Sequence, residues 1–332
     1  STDIAILELG TNHFGEIDYL SRICQPNIGI ITNIGPAHLE NLCNLEGVLR
    51  EKFKLIENLK NPYIGILNAD DELLSRKTKK INIFSFGIKN HCDFFATDIK
   101  LIRDKLKFLV NPAPRPKERG FGARFINAPF HSNHKCSGLT RCGVNKKSAK
   151  AFSLNTIGYY NIYNALAAIA ASRILGIGYK DIASRLAAFN FPQGRLKFIK
   201  SSNINFIDDT YNSNPFSLKQ ALSALDTFKT KGRKIFIMGD MLELGTYKKS
   251  FHEQAGYDAM THCDIFITVG RLSKLSADAA KKHNLNGKII LNCKTTKEAR
   301  DILFNEVSPE KNDVVLVKGS RLMKMEEIFK TC

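Results

Sequence analysis

The chain has 332 residues, 43% hydrophobic and 24% charged, with a formal net charge of +17. That length is too great for one ordinary core, and that balance excludes a disordered chain. No apolar run approaches the roughly 20 residues of a membrane span, which excludes a transmembrane helix.

The positive charge suggests polyanionic partners, but much of it is local. Residues 111–150 hold nine Lys or Arg and one acid, Glu118. A solvated basic loop on a lysine-rich background accounts for this, no RNA-binding, zinc-finger or basic-zipper pattern is present, and no nucleic-acid partner is expected. The eight cysteines are scattered without a framework, as free thiols in a reducing cytoplasm are. The chain opens in a strand-like run with no signal-peptide pattern before it, and so reads as a fragment or a processed product.

In chain order, Ile4–Leu9 is a short apolar run stopped by Gly10, the pattern of a buried strand. Gly15-Glu16 lead into a helix, and Ile28–Ile34 is a second continuous apolar strand of the parallel-sheet type. Asn44 is placed to cap a helix over Leu45–Leu59. Tyr63–Leu67 makes a third strand ending in NADDE, and Ile81–Phe86 and Phe94–Val110 read as short strands and hairpins. Residues 111–150 have no period and are expected to pack loosely, Phe121, Phe125 and Phe130 included. Tyr160–Leu175 and Tyr179–Phe189 are helices, and FPQGRLKF at 191–198 carries the Pro-Gly punctuation of a domain junction. Beyond it, strands at 204–208, 234–238, 265–269, 288–291 and 313–317 alternate with helices near 215–228, 249–262, 272–283, 295–306 and 322–330. Such alternation means a parallel, doubly wound, Rossmann-like α/β domain. The domains expected are 1–192 and 193–332.

Ligands of open α/β sheets bind at the carboxyl ends of the strands, so polar residues there are the candidates. Glu8 sits at such an end, as a magnesium ligand or as an ordinary loop carboxylate. His38 follows the second strand in NIGPAH, to meet metal or phosphate or to make one surface hydrogen bond. Lys52 lies among Arg50 and Lys54 in a basic cluster that is otherwise simply solvated. Asn161 and Asn164 share one helix face after Gly158; they either read a nucleotide or leave Asn161 as a cap. In the second domain, Asp208, Asp209, Tyr211 and Asn212 cluster where a ribose or base would sit. Lys318, Ser320 and Arg321, before a predicted helix, have the chemistry to grip a carboxylate. His131, His134, Cys136 and Cys142 match no standard zinc spacing, and there is no G-x-x-x-x-G-K-[ST] phosphate loop.

Together these stretches resemble a family. ELGTNHFGEI (8–17), TNIGPAHLENLCNLEGV (32–48), NADDELL (68–74), YNIYNALAAIAAS (160–172), GRLKF (194–198), DDTYNSNPFS (208–217), GDMLELG (239–245) and VLVKGSRLMKMEEI (315–328) are similar to the Mur ligases. Within that family the likeness is greatest to the branch that adds D-alanyl-D-alanine to UDP-N-acetylmuramoyl-tripeptide. The resemblance implies a partial central ATP-binding α/β domain, with the basic stretch as an insertion, followed by a Rossmann-like ligase domain. It implies a cytoplasmic, monomeric, ADP-forming ligase of peptidoglycan synthesis that uses ATP and Mg²⁺ through an acyl phosphate. It further implies that Glu8, His38 and a carbamylated Lys52 bind metal or phosphate, with Lys52 and His38 catalytic. Asn161, Asn164, Arg195 and Asp209 would contact ATP; Asn212, Lys318, Ser320 and Arg321 would face the other substrates. The phosphate loop and UDP-sugar domain would precede Ser1, leaving this stretch inactive alone. Two other readings stand beside it: an amide ligase of the folylpolyglutamate synthase type, and a non-catalytic nucleotide- or anion-binding module. Three departures from the family pattern are Phe53-Lys54 after the key lysine, Tyr160 before the first Asn, and the length of 111–150.

Overall fold

The computed structural model describes residues 3–36, 38–78, 82–102, 105–111, 149–201, 204–283 and 287–329. The zinc candidates His131, His134, Cys136 and Cys142, and the packing expected of Phe121, Phe125 and Phe130, lie outside them.

The first sheet runs in sequential order: β1 (Ile28–Ile31), β2 (Ile64–Asn68), β3 (Ile83–Gly87), β4 (Phe94–Ile102), β5 (Lys105–Asn111) and β6 (Lys150–Leu154). β1 to β4 are parallel, while β5 is antiparallel to both β4 and β6. Its helices are α1 (Glu16–Cys24), α2 (Leu39–Leu42), α3 (Leu45–Glu57), α4 (Glu72–Ser75), α5 (Asn161–Ile174) and α6 (Tyr179–Ala188). β2 and β3 are buried throughout because each face is covered. Ile66, Phe84 and Phe86 pack with Ile162, Leu166 and Ile169 of α5. Leu67 and Ile83 pack on the other side with Val48, Phe53 and Ile56 of α3. Asn44 caps α3 as its position suggested, its side chain accepting from the Gly47 N–H at 2.9 Å.

The second sheet holds β7 (Lys197–Ser201), β8 (Ile204–Asp209), β9 (Lys234–Gly239), β10 (Ile265–Val269), β11 (Ile289–Cys293) and β12 (Val314–Lys318), in the order β11-β10-β9-β12-β8-β7. Every neighbouring pair is parallel except β7 with β8. One face packs Ile207, Phe236, Phe266 and Leu316 under α7 (Pro215–Thr227) and α8 (Lys248–His262). The other packs Phe206, Ile235, Ile267 and Val315 near α10 (Thr296–Asp301); α9 (Ser273–Lys282) completes the set. Because β12 inserts between β8 and β9, the carboxyl ends of these three strands lie side by side. The α/β class and doubly wound second unit expected from the sequence are thus present.

Four elements differ from expectation. Ile4–Leu9 is not a strand: the run has no ladder partner among the described residues, and Ile6 is 92% exposed. An apolar run becomes a buried strand only where a neighbouring edge takes up its N–H and C=O groups. The second sheet has a sixth, antiparallel strand, β7, an edge with no fully buried residue, for which the sequence reading gives no strand. The helix expected near 295–306 is α10 followed by a single π turn over Ile302–Val307. The final helix is two 3₁₀ turns, Arg321–Met323 and Met325–Ile328, broken at Lys324 with φ 48°. Packing overrides propensity there. Met325 fills the space left by Gly239 and Gly319, where an added Cβ would meet its side chain at 2.8 and 2.6 Å, and the chain must turn to seat it.

Candidate functional site

The loop after β1 is held by three residues of other elements. Asn68, ending β2, donates to the Thr32 carbonyl at 3.0 Å. Asp71 accepts from the Ile34 N–H at 2.7 Å while its second oxygen caps α4 through Leu73 and Leu74. Lys52, half-buried on α3, donates to the Asn33 carbonyl at 3.2 Å. Burial pushes the Lys52 ammonium below its ordinary range, against a smaller pull upward from Asp71. Phe53 and Lys54 do not crowd it. Successive helix positions diverge, so Phe53 enters the core and Lys54 pairs with Glu57 at 2.8 Å.

His38 ends the loop in the left-handed region, at φ 55°, and its Nδ1 lies 3.1 Å from Glu243. Glu243 belongs to GDMLELG, the loop after β9, so this contact joins the strand ends of the two sheets. The Gly35 loop also approaches Phe216 at the start of α7. Glu8 takes no part: with its run unpaired, it is exposed. Beside the loop, a cavity of about 440 Å³ is lined by Gly10, Thr11, Asn12, Glu16, Tyr19, Leu20 and His38.

Its wall is positioned by Glu51, which the sequence reading passed over. Buried to 2% exposure, Glu51 accepts from Gly15 and Ile17 N–H at 2.8 Å each and meets the Thr11 hydroxyl at 3.4 Å. The available signal was an acid on the buried face of α3, alongside Val48, Phe53 and Ile56. Asp70 was missed too. Its carboxylate accepts from Ile88, Lys89 and Asn90 N–H at 2.6, 2.9 and 2.7 Å and from the Tyr163 hydroxyl at 3.0 Å.

At the head of α5, Asn161 is buried and donates to Thr156 Oγ1 at 3.1 Å; exposed Asn164 donates to Asn161 Oδ1 at 3.2 Å. Asn161 therefore holds the Asn164 amide in place at the head of α5. The Tyr160 ring packs into the second unit's core, and burial raises its phenol.

At the second sheet, the Arg195 guanidinium lies 4.0 Å from the Tyr211 ring centroid. Asp209 and Lys318, both buried, meet at 2.6 Å, and Lys318 also donates to the Asn212 carbonyl at 2.9 Å. Burial pushes the Asp209 carboxyl up, opposed chiefly by the Lys318 charge. Lys318 thus turns inward, away from the open face expected for it. The Asn212 side chain is exposed, turned to its own Ser213 N–H at 2.8 Å. Ser320 is buried and accepts from the Leu242 N–H at 2.9 Å, whereas exposed Arg321 pairs with Glu326 at 3.0 Å. His252, unremarked in the sequence, completes the hold on GDMLELG: Nε2 accepts from the Met241 N–H at 3.1 Å, and Nδ1 lies 2.6 Å from the Lys248 carbonyl. This pairing requires the neutral ring with its proton on Nδ1, and burial lowers its pKa accordingly.

Comparison with known proteins follows the same division. Residues 1–172 match the Mur ligase middle domain, and residues 194–321 match the Mur ligase, glutamate ligase domain. The chain is 30% identical over 333 residues to UDP-N-acetylmuramoyl-tripeptide–D-alanyl-D-alanine ligase of Bacillus subtilis, covering 99% of this chain but 64% of that protein. It thus spans less than two thirds of that relative. The crystal structure of MurF from Acinetobacter baumannii aligns with a TM-score of 0.78 and 30% identity, covering 97% of this chain and 63% of that one. MurF from Thermotoga maritima, solved in complex with ADP, shares the fold with a TM-score of 0.77 at 22% identity, covering 97% and 66%.

Proposed function

The chain belongs to the Mur ligase family, and from that membership we propose that it is the greater part of an ATP-dependent, ADP-forming ligase joining D-alanyl-D-alanine to UDP-N-acetylmuramoyl-tripeptide. The setting is peptidoglycan precursor synthesis in the cytoplasm, by a monomer whose central and ligase domains divide at 192/193. The observation that carries this reading is the contact of His38 with Glu243 at 3.1 Å. It joins the strand ends of the two sheets, which we read as the walls of one cleft, as a reaction needs when one unit binds the phosphoryl donor and the other delivers an amine.

In the reaction, the γ-phosphoryl group passes from ATP to the terminal carboxylate of the tripeptide. The D-alanyl-D-alanine amine then attacks the acyl carbon, the C–N bond forms, and phosphate leaves as the amine loses a proton. The protein's contribution is positioning and charge stabilisation. Asn161 and Asn164 offer amides to the nucleotide at the head of α5, and exposed Arg195 closes on it from the linker, with buried Asp209 at the end of β8 behind it. His38 faces phosphate once it parts from Glu243, and Asn212, Ser320 and Arg321 border the side where the dipeptide enters. Burial increases the fraction of free amine at Lys52, the form that takes up carbon dioxide to give a carbamate. The magnesium assignment to Glu8, His38 and carbamylated Lys52 is not met by the residues as they stand. Glu8 is exposed, Lys52 supplies a carboxylate only if carbamylated, and among the described residues no three His, Cys, Asp or Glu side chains group to hold a metal. No step is therefore assigned to a metal.

The test is ADP release by the complete protein supplied with ATP and UDP-N-acetylmuramoyl-tripeptide. Release that depends on D-alanyl-D-alanine is expected. Release that depends on glutamate and a folate, but not on the dipeptide, would refute the assignment.

A further inference from the structure

We propose that Lys318 is a positioning residue for the nucleotide end of the cleft, and not a ligand for the dipeptide carboxylate. The inference rests on the ligase reading for the identity of the two substrates. A lysine that captures a carboxylate from solvent needs access and free donors. Lys318 is 1% exposed, and its ammonium is already committed to Asp209 at 2.6 Å and the Asn212 carbonyl at 2.9 Å.

Those two bonds tie together parts distant in sequence. Through Asp209 the end of β12 is joined to the end of β8; through Asn212 it is joined to the loop leading to α7. The other oxygen of Asp209 accepts from the Leu196 N–H at 3.1 Å, extending the connection into the linker. There, Gly194 N–H donates to Asp208 at 2.8 Å and the Tyr211 N–H returns to the Gly194 carbonyl at 3.1 Å. Arg195, between these anchored residues, is thereby aimed over the Tyr211 ring. One buried ammonium thus fixes the buried Asp209 carboxylate directly and, through Leu196, aims Arg195, the exposed nucleotide-facing group of this unit. Arg321, exposed, remains the cation for the dipeptide side.

The charged and titratable groups facing Asp209 are Lys318 from β12, Arg195 from the linker and Tyr160 from the head of α5. Its neighbour Asp208 is turned to Gly194 and to the amide and hydroxyl of Thr210. Removing Lys318 takes away the main charge that keeps a buried carboxylate ionised, so Asp209 then takes up a proton at higher pH.

The experiment measures KM for ATP and for D-alanyl-D-alanine separately, across pH, in the complete protein carrying Lys318→Met, Asp209→Asn or both. Lys318→Met is expected to raise KM for ATP roughly tenfold at neutral pH, equivalent to one decade of affinity, and to leave KM for the dipeptide within about twofold. Its KM for ATP falls again as pH rises and Asp209 ionises, a limb absent from the wild type and from the double variant. The double variant holds no unpaired buried charge, so it carries the comparison if Lys318→Met does not fold. Its KM for ATP should equal that of Asp209→Asn alone. A Lys318→Met protein with a raised dipeptide KM and an unchanged ATP KM overturns the proposal, as does a double variant distinctly worse than Asp209→Asn. Calorimetric ADP binding by the same variants gives the comparison without turnover, so a wild type inactive with the dipeptide counts against the ligase reading alone.

Discussion

Replacing Glu51 by Ala or Gln tests how the cavity wall beside His38 is held. The carboxylate satisfies two backbone donors, the N–H groups of Gly15 and Ile17, each at 2.8 Å. Ile17 is buried, so its orphaned N–H costs about 1–3 kcal/mol; Gly15 is open to water and costs about 1 kcal/mol or less. Glu51→Ala should therefore destabilise the protein by about 1–4 kcal/mol, which at about 2–4 °C per kcal/mol for a domain of this size lowers Tm by roughly 2–16 °C. Glu51→Gln keeps the shape but turns an NH₂ toward one of the two donors, and should lose about half as much. Calorimetry measures the stability change, and hydrogen exchange locates it. The Gly15 and Ile17 amides should exchange faster in both variants while those of β2 and β3 follow the global loss. A Glu51→Ala protein within about 0.5 kcal/mol of wild type, with the Ile17 amide still protected, would refute the assignment.

His252 supplies a pH dependence. Its imidazole is held neutral by burial, below the ordinary value of 6.5, while the unfolded ring titrates near that value. Between the two values the unfolded chain binds the extra proton, so this contribution to stability is intact above about 6.5 and is lost as pH falls toward the lowered folded value. Denaturant midpoints on either side of that value should show the loss in wild type and not in His252→Gln; a limb that survives the substitution contradicts the tautomer deduced from Met241 and Lys248. For Lys52, incubation with ¹³C-bicarbonate should yield a carbamate carbon resonance that is missing from Lys52→Met, and its absence from the wild type would rule the modification out. Tyr163→Phe removes one of four donors to Asp70 and should cost about 1 kcal/mol, whereas Asp70→Ala strips the Ile88–Asn90 loop of its acceptor and should cost clearly more by the same denaturation assay.

Much of this architecture was legible because parallel strands buried on both faces read as unbroken apolar runs. IGIL and VVLV are examples, and the alternation of such runs with helices determines a doubly wound sheet. The same rule misled at Ile4–Leu9, since apolarity reports what a segment can bury and not whether an edge is there to pair with it. Met325 shows a second limit: the turn at Lys324 depends on two glycines, Gly239 and Gly319, far from each other in sequence. At the site, strand-end and helix-start positions singled out His38, Asn161 and Asp209 as candidates, but did not tell which side chains face outward. Lys318 and Arg321 are three residues apart and alike in charge, yet one is enclosed and the other open. The residues that hold others in place, Glu51, Asp70 and His252, were the least visible, because an acid or imidazole aimed at backbone amides leaves no spacing pattern.

Phe251 of α8 packs against a buried cluster of each unit, and Leu101 of β4 likewise touches two cores. Neither unit can open without uncovering a side chain on which the other relies. The unfolding of the two units is consequently coupled through these two side chains, and transplanting either unit into a relative would demand matching partners for Phe251 and Leu101 before any residue of the cleft came into question.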